Sequence, residues 1–263
     1  MNKINYNDIF KEFLDSRVII AGPCSVENEK QINQIAESIS ELGLKFFRAG
    51  AFKPRTSSSS FQGLGLVGLE LIRKAADRNN LLVVSEILDT SHIEECYDMI
   101  DIVQIGSRNM AAYSLLKNIG KATAKDKKPV LLKRGFNATL NEMISAAEYI
   151  TNEGNPNVLL CLRGIRTFEQ IDSDMRFTPD LGSILELKYK TNLPIIFDPS
   201  HAGGDAKYVE MLAKTALFLG ANGLLVETHN EPEKALTDGK QSIKPDILKN
   251  IVNYRNSILR DYE

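Results

Sequence analysis

The chain has 263 residues, the size of one domain, and 43% of them are hydrophobic, enough to build a sizeable core. Formal net charge is −2, from 32 basic and 34 acidic residues, so bulk charge points neither to nucleic acid nor to a membrane surface. Three cysteines with no C-x-x-C pair, a polar N-terminus and no apolar run near the roughly 18 residues of a membrane helix together predict a cytoplasmic protein.

Residues 1–16 read as a short N-terminal extension, too small for a regulatory module. The first strand is predicted over Val18–Gly22, and Ile32, Ile35, Ala36, Ile39 and Leu42 then recur at helical spacing. Strands follow over Lys45–Ala49 and Leu81–Glu86, and Ser91-x-x-Glu94 has the pattern of a capping box. Next come strands over Ile102–Ser107 and Val130–Arg134, a capping pattern at Thr139-x-x-Glu142, and a strand over Val158–Arg163. Thr167-x-x-Gln170 is a third capping pattern, followed by a strand over Ile195–Asp198 and a helical stripe of Val209, Leu212, Ala213 and Ala216. A strand over Gly223–Thr228 and a helix from Ile247 to Leu259 complete the series. Eight strand–helix units of about 30 residues predict an α/β fold closed as a (β/α)8 TIM barrel, with 1–263 as a single catalytic domain. No G-x-G-x-x-G follows the first strand, and there is no Walker sequence.

Catalytic groups of such barrels sit at the C-terminal ends of the strands. That position is polar in every unit here: Cys24, Arg48, Glu86, Arg108, Lys133 with Arg134, Arg163, Asp198 with His201, and Glu227 with His229. Residues two apart share a strand face, so Leu225, Glu227 and His229 should point together, as should Leu131 with Lys133 and Cys161 with Arg163. Arg48, Arg108, Lys133 and Arg163 would then converge on the mouth, where guanidinium forks and an ammonium suit phosphate and carboxylate groups. Lys53-Pro54-Arg55-Thr56 adds further positive charge in the loop after the second strand.

Cys24, His201, Glu227 and Asp238 have no spacing motif, yet barrel closure brings the first, seventh and eighth strands together. One thiolate, one imidazole and two carboxylates suit a divalent ion such as Mn, Fe, Co or Zn better than Mg. Taken singly, Cys24 after a Gly-Pro turn reads as a buried side chain and Asp238-Gly239 as a turn. Cys96 and Cys161 read as core residues, and His92 as a surface residue.

Ala21-Gly-Pro-Cys-Ser-Val-Glu27, Gly50-Ala-Phe-Lys-Pro-Arg-Thr-Ser57, Phe61-Gln-Gly-Leu-Gly65 and Gln104-Ile-Gly-Ser-Arg-Asn-Met110 resemble segments of the class I 3-deoxy-7-phosphoheptulonate (DAHP) synthases, short single-domain type. So do Leu132-Lys-Arg-Gly135, Arg163-Gly-Ile-Arg-Thr-Phe168, Asp198-Pro-Ser-His201 and Asp238-Gly-Lys-Gln-Ser242. The resemblance implies metal-dependent condensation of phosphoenolpyruvate with erythrose 4-phosphate, the entry step of the shikimate pathway and aromatic amino acid synthesis. It implies Cys24, His201, Glu227 and Asp238 as metal ligands. Arg48, Arg108, Lys133 and Arg163 would hold phosphoenolpyruvate, and Lys53, Pro54, Arg55 and Thr56 the aldose phosphate. Cys24, Lys53, Glu86, Asp198 and His201 would form the catalytic set, with Glu86 near the reacting water. A homodimer or homotetramer and a chorismate mutase partner are also implied.

The related 3-deoxy-octulosonate 8-phosphate synthases, which use arabinose 5-phosphate, are the alternative. They usually carry Lys-Ala-Asn-Arg-Ser and Asp-Ala-Thr-His where this chain has Lys53-Pro-Arg-Thr-Ser57 and Asp198-Pro-Ser-His201, which favours the erythrose reaction. Departures from the family pattern are Leu162, Gly203, Asn230 and the segment Asp174-Met-Arg-Phe-Thr-Pro-Asp180, whose Asp-Met-Arg is similar to the alternative family. A Schiff-base aldolase with Lys133 as nucleophile, its pKa lowered by Arg134, leaves the four metal ligands unexplained. So does a non-catalytic sugar-phosphate sensor.

Overall fold

The computed structural model describes residues 4–53, 61–168, 175 and 177–260. Eight parallel strands close into a barrel in sequence order: β1 (Val18–Gly22), β2 (Phe46–Arg48), β3 (Leu82–Glu86), β4 (Ile102–Ile105), β5 (Val130–Lys133), β6 (Val158–Leu162), β7 (Ile195–Phe197) and β8 (Gly223–Glu227). β8 pairs with β1 from Val18↔Gly223 to Gly22↔Glu227, which seals the cylinder. Most strands are shorter than the patterns predict. The residues after them leave the ladder for the loops of the mouth; Ser107 is already in a 3₁₀ turn.

Helices α2 (Glu29–Glu41), α3 (Gly65–Arg78), α4 (Ile93–Cys96), α5 (Tyr113–Thr123), α6 (Leu140–Thr151), α7 (Gly182–Lys190), α8 (Pro199–Gly203), α9 (Ala206–Phe218) and α10 (Pro245–Arg260) follow the strands. The stripe Ile32, Ile35, Ala36 and Ile39 is buried on α2, as are Val209, Ala213 and Ala216 on α9. Thr139 and Glu142 form the predicted capping box on α6, each side chain serving the other's backbone N–H. Ser91 does not cap a helix: Asp89 accepts from Ser91 N at 2.9 Å and caps a 3₁₀ turn instead. An aspartate two residues upstream therefore displaces the serine from that role. Thr167-x-x-Gln170 reaches beyond the described residues.

Strand alternation splits the apolar residues into two layers. Ile19, Ala21, Phe47, Val83, Val103, Leu132, Leu160, Phe197 and Leu224 face the helices. Ile20, Phe46, Val84, Ile102, Leu131, Leu159, Cys161, Ile196 and Leu225 fill the interior. Cys96 and Cys161 are buried core residues, as their sequence settings imply.

The N-terminal extension has a structural role that the strand count conceals. Residues Tyr6–Asp15 form helix α1, capped by Asn5, and its buried Ile9 and Phe13 join the interior layer. The Phe13 ring lies 5.0 Å from that of Phe46. α1 is a plug across the N-terminal end of the barrel, and its signal was Tyr6, Ile9, Phe10 and Phe13 at helical spacing.

Candidate active site

Each strand's inward series ends in a residue at the opposite mouth: Gly22, Arg48, Glu86, Gln104, Lys133, Arg163, Asp198 and Glu227. The apolar layers below and the polar rim above are thus one alternating pattern. Gly22 has φ +153°, and a Cβ there would lie 1.9 Å from the Arg48 carbonyl oxygen, so glycine admits the neighbouring strand end. Arg134 faces outward to Asp180 at 2.5 Å and to Ser183 Oγ at 3.1 Å.

Arg48, Lys53, Glu86, Arg108, Lys133, Arg163, His201 and Asp238 line one cavity of about 250 Å³ at the mouth. Arg134 and His229, placed in the ring by sequence, are not on that wall. His229 is buried to one side, its Nδ1 accepting from Glu231 N at 3.0 Å. The strand ladder ends at Glu227, and the segment beyond pairs with Ile243 instead, so alternation cannot be extended to residue 229.

Cys24 follows the Gly22-Pro23 turn and donates to Asp238 Oδ2 at 2.9 Å. Donor atoms of Cys24, Glu227 and Asp238 lie within 4.8 Å of one another. His201 Nε2 stands 3.7 Å from Glu227 Oε1, so the fourth expected ligand borders this group through Glu227. Asp238 adopts a left-handed conformation (φ 49°, ψ 29°), and a 3₁₀ turn over Gly239–Gln241 follows. Gln241 then donates through Nε2 to Glu227 Oε2 at 2.6 Å. Ser200 Oγ accepts from Glu227 N at 2.9 Å.

Asp198-Pro-Ser-His201 is a capped helix start. Asp198 is the N-cap of α8, Pro199 occupies the first turn, and Oδ1 accepts from His201 N at 2.9 Å. Oδ2 accepts from Lys133 Nζ at 2.5 Å and faces His201 Nδ1 at 2.8 Å. An ionised carboxylate only accepts, so Nδ1 carries the proton and the lone pair of Nε2 is directed elsewhere. Asp198 is therefore a positioning residue for two members of the site.

Arg48 Nη1 bonds Glu227 Oε1 at 2.7 Å and the Pro23 carbonyl at 2.9 Å. Lys53 Nζ reaches Cys24 Sγ at 2.9 Å and its carbonyl at 3.2 Å. Pro54, Arg55 and Thr56 lie outside the described residues. Glu86 accepts from Gln104 Nε2 at 3.1 Å, and a Cβ on Gly106 would come within 2.1 Å of Glu86 Oε1.

Burial governs the ionisation of this cluster. It pushes the Cys24 thiol up to about 12, helped by Glu227 and Asp238 and opposed by Lys53 and Arg48. Burial alone would raise the Asp198 carboxyl, but His201 and Lys133 reverse that and hold it well below the usual range. Glu227 follows the same logic with His201 and Arg48. Burial lowers His201 against the pull of Asp198 and Glu227, which favours the neutral imidazole.

Sequence reasoning assigned no site role to Gln104, Phe136, Arg166, Phe177 or Gln241. Gln241 holds Glu227, and the other four line the cavity. Gln104, Arg166 and Gln241 stand inside the quoted motifs and Phe177 inside the departing 174–180 segment, while Phe136 carries no signal in the sequence. The Arg134 geometry also undercuts a Schiff base at Lys133, since Arg134 points away and Lys133 is ion-paired with Asp198.

Comparison with known proteins agrees with this geometry. The DAHP synthetase I family model matches residues 7–259. The phospho-2-dehydro-3-deoxyheptonate aldolase of Thermotoga maritima is 47% identical over 234 residues, spanning 89% of this chain and 67% of that protein. A 2-dehydro-3-deoxyphosphooctonate aldolase of Geotalea uraniireducens is 32% identical over 257 residues, covering 89% of this chain and 90% of that one. Among solved structures, the T. maritima DAHP synthase superposes with a TM-score of 0.88 at 44% identity, over 94% of this chain and 70% of that chain. Its truncated form gives 0.84 at 41% identity, covering 94% and 88%. With the motifs in order around a closed barrel, the chain belongs to the DAHP synthetase I family.

Proposed function

We propose that this chain condenses phosphoenolpyruvate with erythrose 4-phosphate, releasing phosphate and 3-deoxy-arabino-heptulosonate 7-phosphate, the entry step of the shikimate pathway. One observation carries the reading: Arg48, Arg108, Lys133 and Arg163 line the same cavity as Asp238 of the donor cluster and His201 beside it. Two anionic substrates repel each other, and fixed cations are what hold them within reacting distance. The family and the 47% identical heptonate aldolase support the choice of aldose.

Arg48, Arg108, Lys133 and Arg163 would bind the phosphate and carboxylate of phosphoenolpyruvate and stabilise the charge that gathers on the departing phosphate. Lys53, Pro54, Arg55 and Thr56 would hold the aldose phosphate. The new carbon–carbon bond joins the enol methylene to the aldehyde carbon, and water adds at the enol carbon as phosphate leaves. Glu86, which lines the cavity, would orient that water. Asp198 keeps His201 Nε2 deprotonated and Lys133 in place.

The donor set fits a borderline divalent ion, Mn, Fe, Co or Zn, held by Cys24, Glu227 and Asp238 with His201 beside them. Such an ion supplies Lewis acidity that polarises the aldehyde. Lys53 and Arg48 already oppose the burial of the thiol, and a cation would complete the conversion of Cys24 to thiolate. Three unpaired cysteines and the absence, among the described residues, of any helix long and apolar enough to cross a membrane support a cytoplasmic enzyme. We place it as a homodimer or homotetramer, with chorismate mutase as the partner to test.

The test is a substrate comparison. Protein loaded with Mn should release phosphate from phosphoenolpyruvate only with erythrose 4-phosphate present, and EDTA should abolish release. Faster turnover with arabinose 5-phosphate would move the chain to the activity of its octulosonate relatives.

A further inference from the structure

The ladder between β1 and β8 ends at Gly22↔Glu227. Two of the proposed ligands lie past that end, Cys24 in the loop after β1 and Asp238 in the loop after β8, where β1–β8 pairing no longer sets their spacing. Side chains take over. Cys24 Sγ donates to Asp238 Oδ2 at 2.9 Å, Ser25 Oγ and Thr237 Oγ1 share a hydrogen bond of 2.6 Å, and Glu27 Oε1 accepts from Leu236 N at 2.7 Å. Residue numbers rise on one segment as they fall on the other, so the two loops lie side by side in opposite directions.

Each segment is also tied to its own surroundings. Val26 N donates to the Gly50 carbonyl at 3.0 Å, and Gln31 Nε2 of α2 donates to the Ser25 carbonyl at 3.1 Å. On the other side, Gln241 N and Ser242 Oγ both donate to the Asp238 carbonyl at 3.2 Å. Asp238 has a left-handed backbone, which a residue with a Cβ keeps only where its neighbours hold it.

Ser25 and Thr237 are 1% and 2% exposed. Hydroxyls buried that deeply are satisfied by protein rather than by bulk water, and removing one leaves the other with a lost partner. The Cys24–Asp238 bond cannot be the lasting tie between the loops, because its donor is the sulfur that would bind the ion. Once both side chains serve as anionic ligands, they repel each other across the cation. The hydroxyl pair, one residue along each segment, is neutral and uses no ligand atom. It can hold the same two loops with an ion or without one.

We propose that Ser25 and Thr237 are positioning residues for the metal, a hydroxyl clasp that fixes the separation of the Cys24 and Asp238 ligand atoms before an ion arrives. This role rests on reading Cys24, Glu227 and Asp238 as the metal group. Ordering the ligands in advance strengthens binding, because less freedom is lost when the ion enters.

The test uses the full chain in metal-free form. Ser25→Ala, Thr237→Val, the double variant and Thr237→Ser are compared by thermal melting and by equilibrium dialysis against Mn, the latter well below the melting temperature. Each of Ser25→Ala and Thr237→Val should weaken Mn binding roughly 10- to 100-fold, as for loss of a bond that orients a ligand. The double variant should bind Mn about as well as the weaker single variant, since the same bond is missing in all three. Thr237→Ser keeps the hydroxyl and should bind Mn within about threefold of wild type. A bond with a purely structural role would lower melting and leave Mn affinity unchanged, and that result in either folded variant would overturn the clasp. Losses that multiply in the double variant, or a serine variant no better than valine, would overturn it too. Thr237→Val carries the test if Ser25→Ala does not fold. Wild-type protein that fails to bind Mn would instead overturn the reading of the metal group, and the clasp with it.

Discussion

Asp198→Asn separates charge from shape at the point where two halves of the site meet. Asp198 is fully buried, and its Oδ2 serves both Lys133 at 2.5 Å and His201 at 2.8 Å. The amide keeps the volume, and its oxygen can still accept from His201 N as the cap. What disappears is the negative charge facing a lysine whose side chain is only 5% exposed. Breaking a buried pair from one side costs about 3–5 kcal/mol, and the retained cap places this variant near the lower end. At roughly 2–4 °C per kcal/mol for a protein of this size class, melting should fall by about 6–12 °C. The amide can also donate to His201 Nδ1, which moves the imidazole proton to Nε2. Mn affinity should then drop roughly 10- to 100-fold, as for a lost partner of a metal-ligating histidine. Thermal melting of metal-free protein and equilibrium dialysis against Mn read the two effects separately. A variant that melts within about 2 °C of wild type and binds Mn equally well would refute the assignment of Asp198.

Gly106→Ala should leave melting nearly unchanged, because φ of −71° suits alanine and the clash is with the mobile end of Glu86; turnover should fall roughly 100-fold from the displaced carboxylate. Full turnover would exclude Glu86 from the chemistry. Gln241→Leu removes the donor to buried Glu227 Oε2 and should cost about 1.5–3 kcal/mol in urea unfolding; an unchanged midpoint would refute that role. Burial lowers Lys128 to about 8 against the pull of Asp126, Asp101 and Asp98. A lysine whose folded value lies below its unfolded 10.5 is costlier to charge in the fold, so its contribution improves as pH rises from about 8 to 10.5. The difference in unfolding free energy between wild type and Lys128→Met should shift in favour of wild type over that window, by at most about 1.4 kcal/mol per pH unit. A pH-independent difference would refute it.

The barrel was legible because each strand is a short apolar run and each helix a 3.6-residue stripe, signals that survive without tertiary context. Strand ends were overextended because Arg134, Ser107 and Thr228 continue the polarity of the mouth without joining the ladder. The mouth cations and Glu227 were readable because charge at the end of an inward series has few other uses, whereas Asp238, in the turn beyond β8, came into view only through the motif resemblance. α1 went unread as a plug because nothing in its own stripe says which surface it meets. Gln241 was invisible for a related reason: its importance lies in a partner on another element, Glu227.

The closed floor of the barrel bears on how substrates find the site. Beneath the charged ring lie Ile20, Phe46, Leu131, Ile196 and Leu225, and below them Phe13 of α1. Hydrocarbon is a poor dielectric, so the potential of the arginines cannot relax downward into water and emerges through the mouth alone. A molecule with a net charge of −2 thus presents a local electrostatic funnel to anions. Its reach is the Debye length, about 30 Å at 0.01 M salt and about 8 Å at 0.15 M. Added salt should slow capture, read as kcat/KM, far more than it slows the steps that follow inside the cavity.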